Sequence, residues 1–263
     1  MDVAASFVDA CAPNYAHWLT EVLPRLALYC AETKFKDVPI VINAGLHRNI
    51  IDSLSYFVSP DRAIIALSVG RALEISELHA TSVAGYVPFG RRPQKGPALL
   101  AHSQGRFNPH AFERLRAVVL HKALSESAVP TPEKFYIRRN SGSRRVTNAA
   151  ELEAALTDRG YTIVEPEKLG FIEQVRLFAS AKTIVGSSGA ALANLVFAPS
   201  SARTHVLIGR YPDTSFWYWQ NIASAIGGNV NYVFGEIEGD GGEGIHADFR
   251  IEIPSLLKAL DGE

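Results

Sequence analysis

Cysteine is nearly absent. The 263 residues hold two, Cys11 and Cys30, with no CxxC pair and no metal-ligand spacing. This excludes a disulfide-stapled secreted scaffold and a zinc-ribbon or zinc-finger module. Net charge is also nearly absent, at −1, which excludes a nucleic-acid protein that relies on a broad basic face. No apolar run approaches the roughly 18 residues a membrane span needs. The first residues lack a basic stretch followed by an apolar one, so no leader is expected. Methionine occurs once, at position 1, and recognisable pattern begins within a dozen residues of it. The expectation is a trimmed fragment or one domain of a longer polypeptide.

What is present is a core-forming composition: 47% hydrophobic and 20% charged residues, enough to exclude disorder. The basic residues are chosen unevenly, 18 Arg against 8 Lys. Arginine reads phosphate and carboxylate with a planar, two-pronged fork, so its clustering is informative. Four of the 18 fall in eight residues, Arg138, Arg139, Arg144 and Arg145, interrupted by Asn140, Ser141, Gly142 and Ser143. They follow directly on a strand-like Phe135-Tyr136-Ile137. A polar, arginine-rich turn at a strand's carboxyl end is a candidate diphosphate clamp.

The second focal stretch is residues 183–199. Thr183, Ile184 and Val185 read as the end of a buried strand, Gly186 to Gly189 as a tight small-residue turn, and residues 190–197 as a short helix stopped before Pro199. The first-turn N–H groups of such a helix, with small side chains around them, favour an anion. Ser187, Ser188, Gly189 and Ala190 are the candidate contacts.

Periodicity places these stretches in an α/β chain. Residues 14–32 read as an amphipathic helix kinked at Pro24. His17 and Glu21 are four apart on it, as a base and its orienting carboxylate would be. Strands at 38–43 and 63–67 flank a helix at 48–57. Residues 68–97 are irregular, and Asn108-Pro109 opens a helix to about 124. Residues 125–133 carry two prolines and read as a linker. Strand and helix then alternate again: strands at 135–137, 161–164, 183–185, 205–208 and 232–234, and helices at 148–160, 171–181, 217–226 and 255–260. Asn148 is expected to cap its helix with Glu151 as partner. Residues 238–244 are a Gly- and acid-rich loop. The expected architecture is two Rossmann-like domains, 1–126 and 127–263, facing a cleft, with the final helix packing back on the first.

Four segments carry a resemblance: Asn14 to Leu26, with Asn14-Tyr15-Ala16-His17-Trp18; Tyr136 to Asn148; Glu165 to Ala181, with Phe171, Glu173 and Gln174; and the stretch 183–199. In this order they resemble glycosyltransferase family 61, the group of bacterial capsular-polysaccharide proteins and of eukaryotic xylosyl- and N-acetylglucosaminyltransferases. The resemblance implies a GT-B fold with a truncated N-terminal domain, and inverting, metal-independent transfer from a nucleotide-sugar donor to a glycan acceptor. The donor would lie against the second domain and the acceptor against the first. No cofactor is implied, the nucleotide sugar being a substrate. The implied roles are His17 and Glu21 for catalysis; Arg138, Arg144, Arg145, Ser187, Ser188, Gly189 and Ala190 for the donor phosphates; and Asn14 and Glu173 for a sugar or ribose. The implied location is cytoplasmic, including peripheral attachment at the inner membrane face. In one respect the chain departs from the family pattern: Ser188 stands where members usually carry histidine. That departure supports an alternative, a non-catalytic sugar-nucleotide or glycan-binding module. A dinucleotide oxidoreductase is disfavoured, because residues 186–189 lack the third glycine of GxGxxG.

Overall fold

The computed structural model describes residues 1–87, 105–125, 130–211, 217–238 and 244–262. Parts of the irregular stretch at 68–97, of the linker at 125–133 and of the loop at 238–244 therefore lie outside the described residues. The chain is mixed α/β, built on two largely parallel sheets. The first contains β1 (Val3–Ser6), β2 (Ile40–Asn43), β3 (Ile64–Leu67) and β4 (Glu77–His79), all parallel, in the order β3-β2-β1-β4. A short antiparallel pair, β5 (Gly85–Tyr86) and β6 (Arg106–Phe107), stands apart.

The second sheet contains β7 (Lys134–Ile137), β8 (Thr162–Val164), β9 (Thr183–Ser187), β10 (Arg203–Arg210), β11 (Val230–Ile237) and β12 (Phe249–Arg250). Its order is β12-β11-β10-β9-β7-β8, with only the edge strand β12 antiparallel. Taken from β7, the parallel strands follow the doubly wound order 2-1-3-4-5. The chain reverses direction across the sheet between β7 and β9, and ligands of open α/β sheets bind beyond the carboxyl ends of strands at such a switch point.

The helix expected over 14–32 runs as α1 (Tyr15–His17), a π-helical turn (Trp18–Val22) and α2 (Leu23–Cys30). The kink expected at Pro24 is thus taken up one turn earlier. Proline has no N–H for the carbonyl of Thr20 and its ring crowds that carbonyl, and a wide π turn relieves both. Gly85 packs on the same carbonyl: a Cβ there would stand 2.0 Å from the Thr20 oxygen.

The remaining helices are α3 (Arg48–Leu54), α4 (Pro109–Ser125), α5 (Ala149–Thr157), α6 (Phe171–Ala179), α7 (Trp217–Ala225) and α8 (Ile253–Asp261). The larger apolar cluster is continuous through both halves, from Phe7, Trp18 and Leu26 to Phe112, Phe135, Phe178 and Val206. A second cluster, on the other face of the second sheet, joins Tyr136, Val185 and Leu207 to Leu152 and Leu156 of α5 and Leu256 and Leu260 of α8. Asn148 does not cap α5 with its side chain. Its amide bonds the backbone of Ile251 in both directions, at 2.9 and 3.0 Å, stitching the C-terminal segment to the sheet.

In the middle of β10, His205 is fully buried and neither ring nitrogen has a hydrogen-bond partner among the described residues. Burial first, and the charge of Arg203 second, push its pKa down to about 4. A depressed histidine costs stability in acid. The unfolded chain takes up a proton near the ordinary value of 6.5 that the folded chain refuses until about pH 4. Stability should therefore fall by about 2 kcal/mol between pH 7 and pH 5 through this residue. Urea titrations of wild type and His205→Leu at both pH values check this, since the leucine variant should lose that component of the pH dependence.

Candidate functional site

Strand alternation decides what each arginine after β7 can reach. Tyr136 faces α5, whereas Ile137 faces the core shared by both halves. The next residue of the Tyr136 face is Arg138, and it meets α5. Its Nε donates to Glu153 at 2.7 Å, a second nitrogen bonds the other Glu153 oxygen, and Nη1 donates to Glu165 at 3.2 Å. The Glu153 bond first, then Glu165, holds the Arg138 pKa above its ordinary value. Arg139 shares the parity of Ile137 and turns the other way. Its Nε donates to the Ser143 carbonyl at 2.7 Å and its Nη1 to the Ser188 carbonyl at 3.4 Å.

These residues open onto a cavity of about 530 Å³ beyond the carboxyl ends of β7 and β9. The second half lines it with residues 137–141 after β7, Ser187, Gly189, Ala190 and Ala191 after β9, and Pro166, Glu167 and Gln174. The first half lines it with Tyr15, His47 and Asn49. It therefore sits at the switch point, between the two halves of the chain.

The electrostatics of its floor are unusual. Burial first, and the neighbouring charge of Arg144 second, push Arg139 down to about 10. Burial also lowers Arg144, whose Nε is buried without a hydrogen-bond partner among the described residues and whose backbone is left-handed, with φ of 57°. Two guanidinium groups thus share a poorly hydrated region, with Asp248 as a compensating charge on Arg139. Asp248 itself is engaged elsewhere. It accepts from the Arg145 backbone and from its Nε, both at 2.8 Å, and these bonds outweigh burial to lower its pKa. Ser187, 4% exposed, has a buried hydroxyl with no hydrogen-bond partner among the described residues. The Tyr136 phenol lies near enough to influence it without reaching hydrogen-bond geometry. A half-buried cation on the cavity wall, beside the small-residue turn after β9, forms an anion-receptive surface.

Below the cavity runs a buried polar chain. The Tyr15 hydroxyl donates to Asn194 Oδ1 at 2.9 Å, Asn194 Nδ2 donates to Gln174 Oε1 at 2.8 Å, and Gln174 Nε2 donates to the Pro166 and Leu169 carbonyls at 3.0 and 3.2 Å. Asn49 Nδ2, from the first half, donates to the same Leu169 carbonyl at 2.9 Å. The segment after Gly189 is 3₁₀ rather than α-helical, Ala190–Phe197. Asn194 contributes to this, because its side chain takes the Ala191 carbonyl at 3.0 Å that an α-helical ladder would offer to Leu195.

The other expected site residues lie elsewhere. His17 Nδ1 bonds Glu21 Oε1, and Glu21 Oε2 accepts from the Val87 N–H at 3.2 Å. Both are buried, and the cavity takes Tyr15 from this helix, not His17. Asn14 caps α1, accepting from the Ala16 N–H at 3.0 Å. Glu173 accepts from the Gly170 N–H at 2.7 Å at the start of α6 and lines a separate hollow beside β8. Ser188 is buried, donating its N–H to the Leu207 carbonyl at 2.9 Å. Arg144 and Arg145 do not line the cavity. Sequence reasoning passed over Tyr15, His47, Asn49 and Asn194, and did not single out Arg139 within the arginine-rich turn. The period-two alternation along Tyr136-Ile137-Arg138-Arg139 was the available signal for Arg139. Among the described residues no three His, Cys, Asp or Glu side chains converge as metal ligands would.

The family model for glycosyltransferase 61 matches residues 15–207, nearly three quarters of the chain. The chain belongs to the glycosyltransferase 61 family. The match begins at Tyr15 and ends within β10, so every residue lining the cavity falls inside it. No curated protein matches the chain. As a family member the chain is a transferase acting on a donor and an acceptor, and no helix among the described residues is long and apolar enough to cross a membrane.

Gly189 has a specific place in this glycosyltransferase. A Cβ on it would stand 2.2 Å from Arg139 Nη1. Its φ of −178° is extended backbone open to any residue, so Gly189→Ala should fold with stability changed by under about 1 kcal/mol. The flexible guanidinium must move aside instead. An anion held by Arg139 should bind about tenfold more weakly, read by calorimetry with inorganic pyrophosphate alongside thermal melting.

Proposed function

We propose that this chain is an inverting, metal-independent glycosyltransferase of GT-B type that moves a hexosyl or pentosyl group from a nucleotide sugar to a glycan hydroxyl. In this reading residues 127–263 form the donor domain and residues 1–126 the acceptor domain. The protein would work in the cytoplasm or at the inner membrane face, in bacterial surface or capsular polysaccharide synthesis. The observation that carries the reading is the cavity at the β7–β9 switch point, which Arg139 and the small-residue turn after β9 line together.

The reaction needs two kinds of help. The acceptor oxygen forms a bond to the anomeric carbon as the bond from that carbon to the diphosphate oxygen breaks. The hydroxyl proton must leave, and charge develops on the departing diphosphate. Glu21, as a carboxylate, accepts from Nδ1–H of His17, which makes Nε2 the basic nitrogen. His17 takes the proton. Arg139, Ser187 and the first N–H groups after Gly189 stabilise the diphosphate, with Arg144 adding positive field. Arg138 and Arg145 support this indirectly, by fixing the turn to Glu153 and Asp248.

A second reading is binding without turnover. Ser188 favours it, since a serine at that position cannot carry the charge of the histidine usual in the family. Calorimetric titration with UDP, GDP, dTDP and CMP is the deciding experiment. At least one should bind, and the matching sugar conjugates should then be turned over. No binding by any of the four would sink the transferase reading and leave of the second only a glycan-binding module, and binding without turnover of any conjugate would leave the second.

A further inference from the structure

One bond ties the helix of the proposed base to the segment of the proposed diphosphate wall. The Tyr15 hydroxyl, in the first half, meets Asn194 Oδ1, in the second, at 2.9 Å. Asn194 is fully buried, and its neighbours fix which way its amide faces. The Ala191 carbonyl, 3.0 Å from Nδ2, can only accept, so the amide nitrogen lies on that side and the amide oxygen faces Tyr15. Gln174 is oriented in the same way by the Pro166 and Leu169 carbonyls, and it presents its oxygen to Asn194. The hydrogen in the bond is therefore the tyrosine's. Burial first holds the Tyr15 phenol above its ordinary pKa, against the opposing pull of the Asn194 bond, so that hydrogen stays in place at neutral pH.

The two ends of this bond carry different machinery. Tyr15 opens α1, which is three residues long and runs straight into the π turn. So short a helix does not hold its own direction. His17 closes α1, and Glu21, its carboxylate, stands on the π turn. At the other end Asn194 shapes the 3₁₀ segment after Gly189 through its bond to Ala191. We infer that Asn194, through the Tyr15 hydroxyl, is a positioning residue for transfer: it sets the His17–Glu21 pair against the wall that holds the diphosphate. Neither group needs to touch a reacting atom for this. The inference rests on the nucleotide-sugar reading above, with His17 as its base.

The test is the split between kcat and donor affinity in Tyr15→Phe, alone and in the His17→Ala background, with melting curves. Phenylalanine keeps the ring and loses only the hydroxyl. Calorimetric affinity for UDP, GDP or dTDP, whichever binds wild type, should stay within about threefold. For the matching sugar conjugate, kcat should fall about ten- to a hundredfold, as a small misplacement of a catalytic group costs. In His17→Ala the same substitution should lower the residual rate no further, because the group it positions is gone. Asn194→Asp is the second variant, since it keeps an acceptor for Tyr15 and loses the donor to Ala191. Its kcat should stay nearer wild type than that of Tyr15→Phe, and its diphosphate affinity should be the lower of the two. A Tyr15→Phe protein with wild-type kcat, one that loses rate and affinity together, or an equal loss in the His17→Ala background would each overturn the inference and leave the nucleotide-sugar reading standing. Should Tyr15→Phe fail to fold, Asn194→Asp decides, and a kcat lowered more than the affinity would overturn the inference. Wild-type protein that turns over no conjugate would end both.

Discussion

Replacing His17 with alanine should lower kcat by about 10²- to 10⁴-fold, the usual loss for a general base. The donor should bind within about threefold of wild type, because His17 does not line the cavity proposed for it. The split between kcat and donor affinity separates a proton acceptor from a binding residue. It is measured as transfer to acceptor, or as donor hydrolysis when water takes the acceptor's place. Glu21→Gln keeps the shape and removes the charge that favours Nδ1–H, and should lower kcat by a smaller factor. Both residues are buried in the π turn and its flank, so a melting curve must accompany the rates. A folded His17→Ala protein with near-normal kcat would remove His17 from the mechanism.

Arg139→Ala should weaken nucleoside-diphosphate binding about 100-fold. A charge-assisted hydrogen bond to phosphate contributes roughly 1.5–3 kcal/mol, and each 1.4 kcal/mol is about tenfold in affinity. Stability should not suffer, since burial and the charge of Arg144 both disfavour the Arg139 cation in the folded chain. Arg138→Ala is the contrast. Its fork is already occupied by Glu153 and Glu165, so binding should change only a few-fold. If the ranking is reversed, with Arg138 dominant, the face assignment of the two arginines is wrong.

That ranking also marks how far the sequence could be read. The α/β alternation was legible because each strand is a short apolar run and each helix carries a core face. The two stretches that frame the cavity, 138–145 and 186–190, stood out for arginine density and small residues. Within them the roles were not legible. Arg138 and Arg139 are chemically identical neighbours, and only the pleat sends one to Glu153 and the other to Ser188. Arg145 looked like a clamp residue because Asp248, its partner, is 103 positions away. Glu173 and Asn14 carry the signature of site residues and that of helix starts equally well, and here both bond backbone N–H groups at helix starts. The polar chain from Tyr15 through Asn194 to Gln174 was invisible for the same reason. It joins three elements, and no local pattern records such a meeting.

The claim at the centre of this account is that the cavity beyond β7 and β9 holds the donor diphosphate. A crystal structure with the tightest-binding nucleoside diphosphate tests it most directly. The prediction is a phosphate oxygen within hydrogen-bond distance of both the Arg139 guanidinium and a backbone N–H of the turn that follows Gly189. A diphosphate bound elsewhere, with Arg139 still turned to the Ser188 carbonyl and the cavity empty, would contradict it.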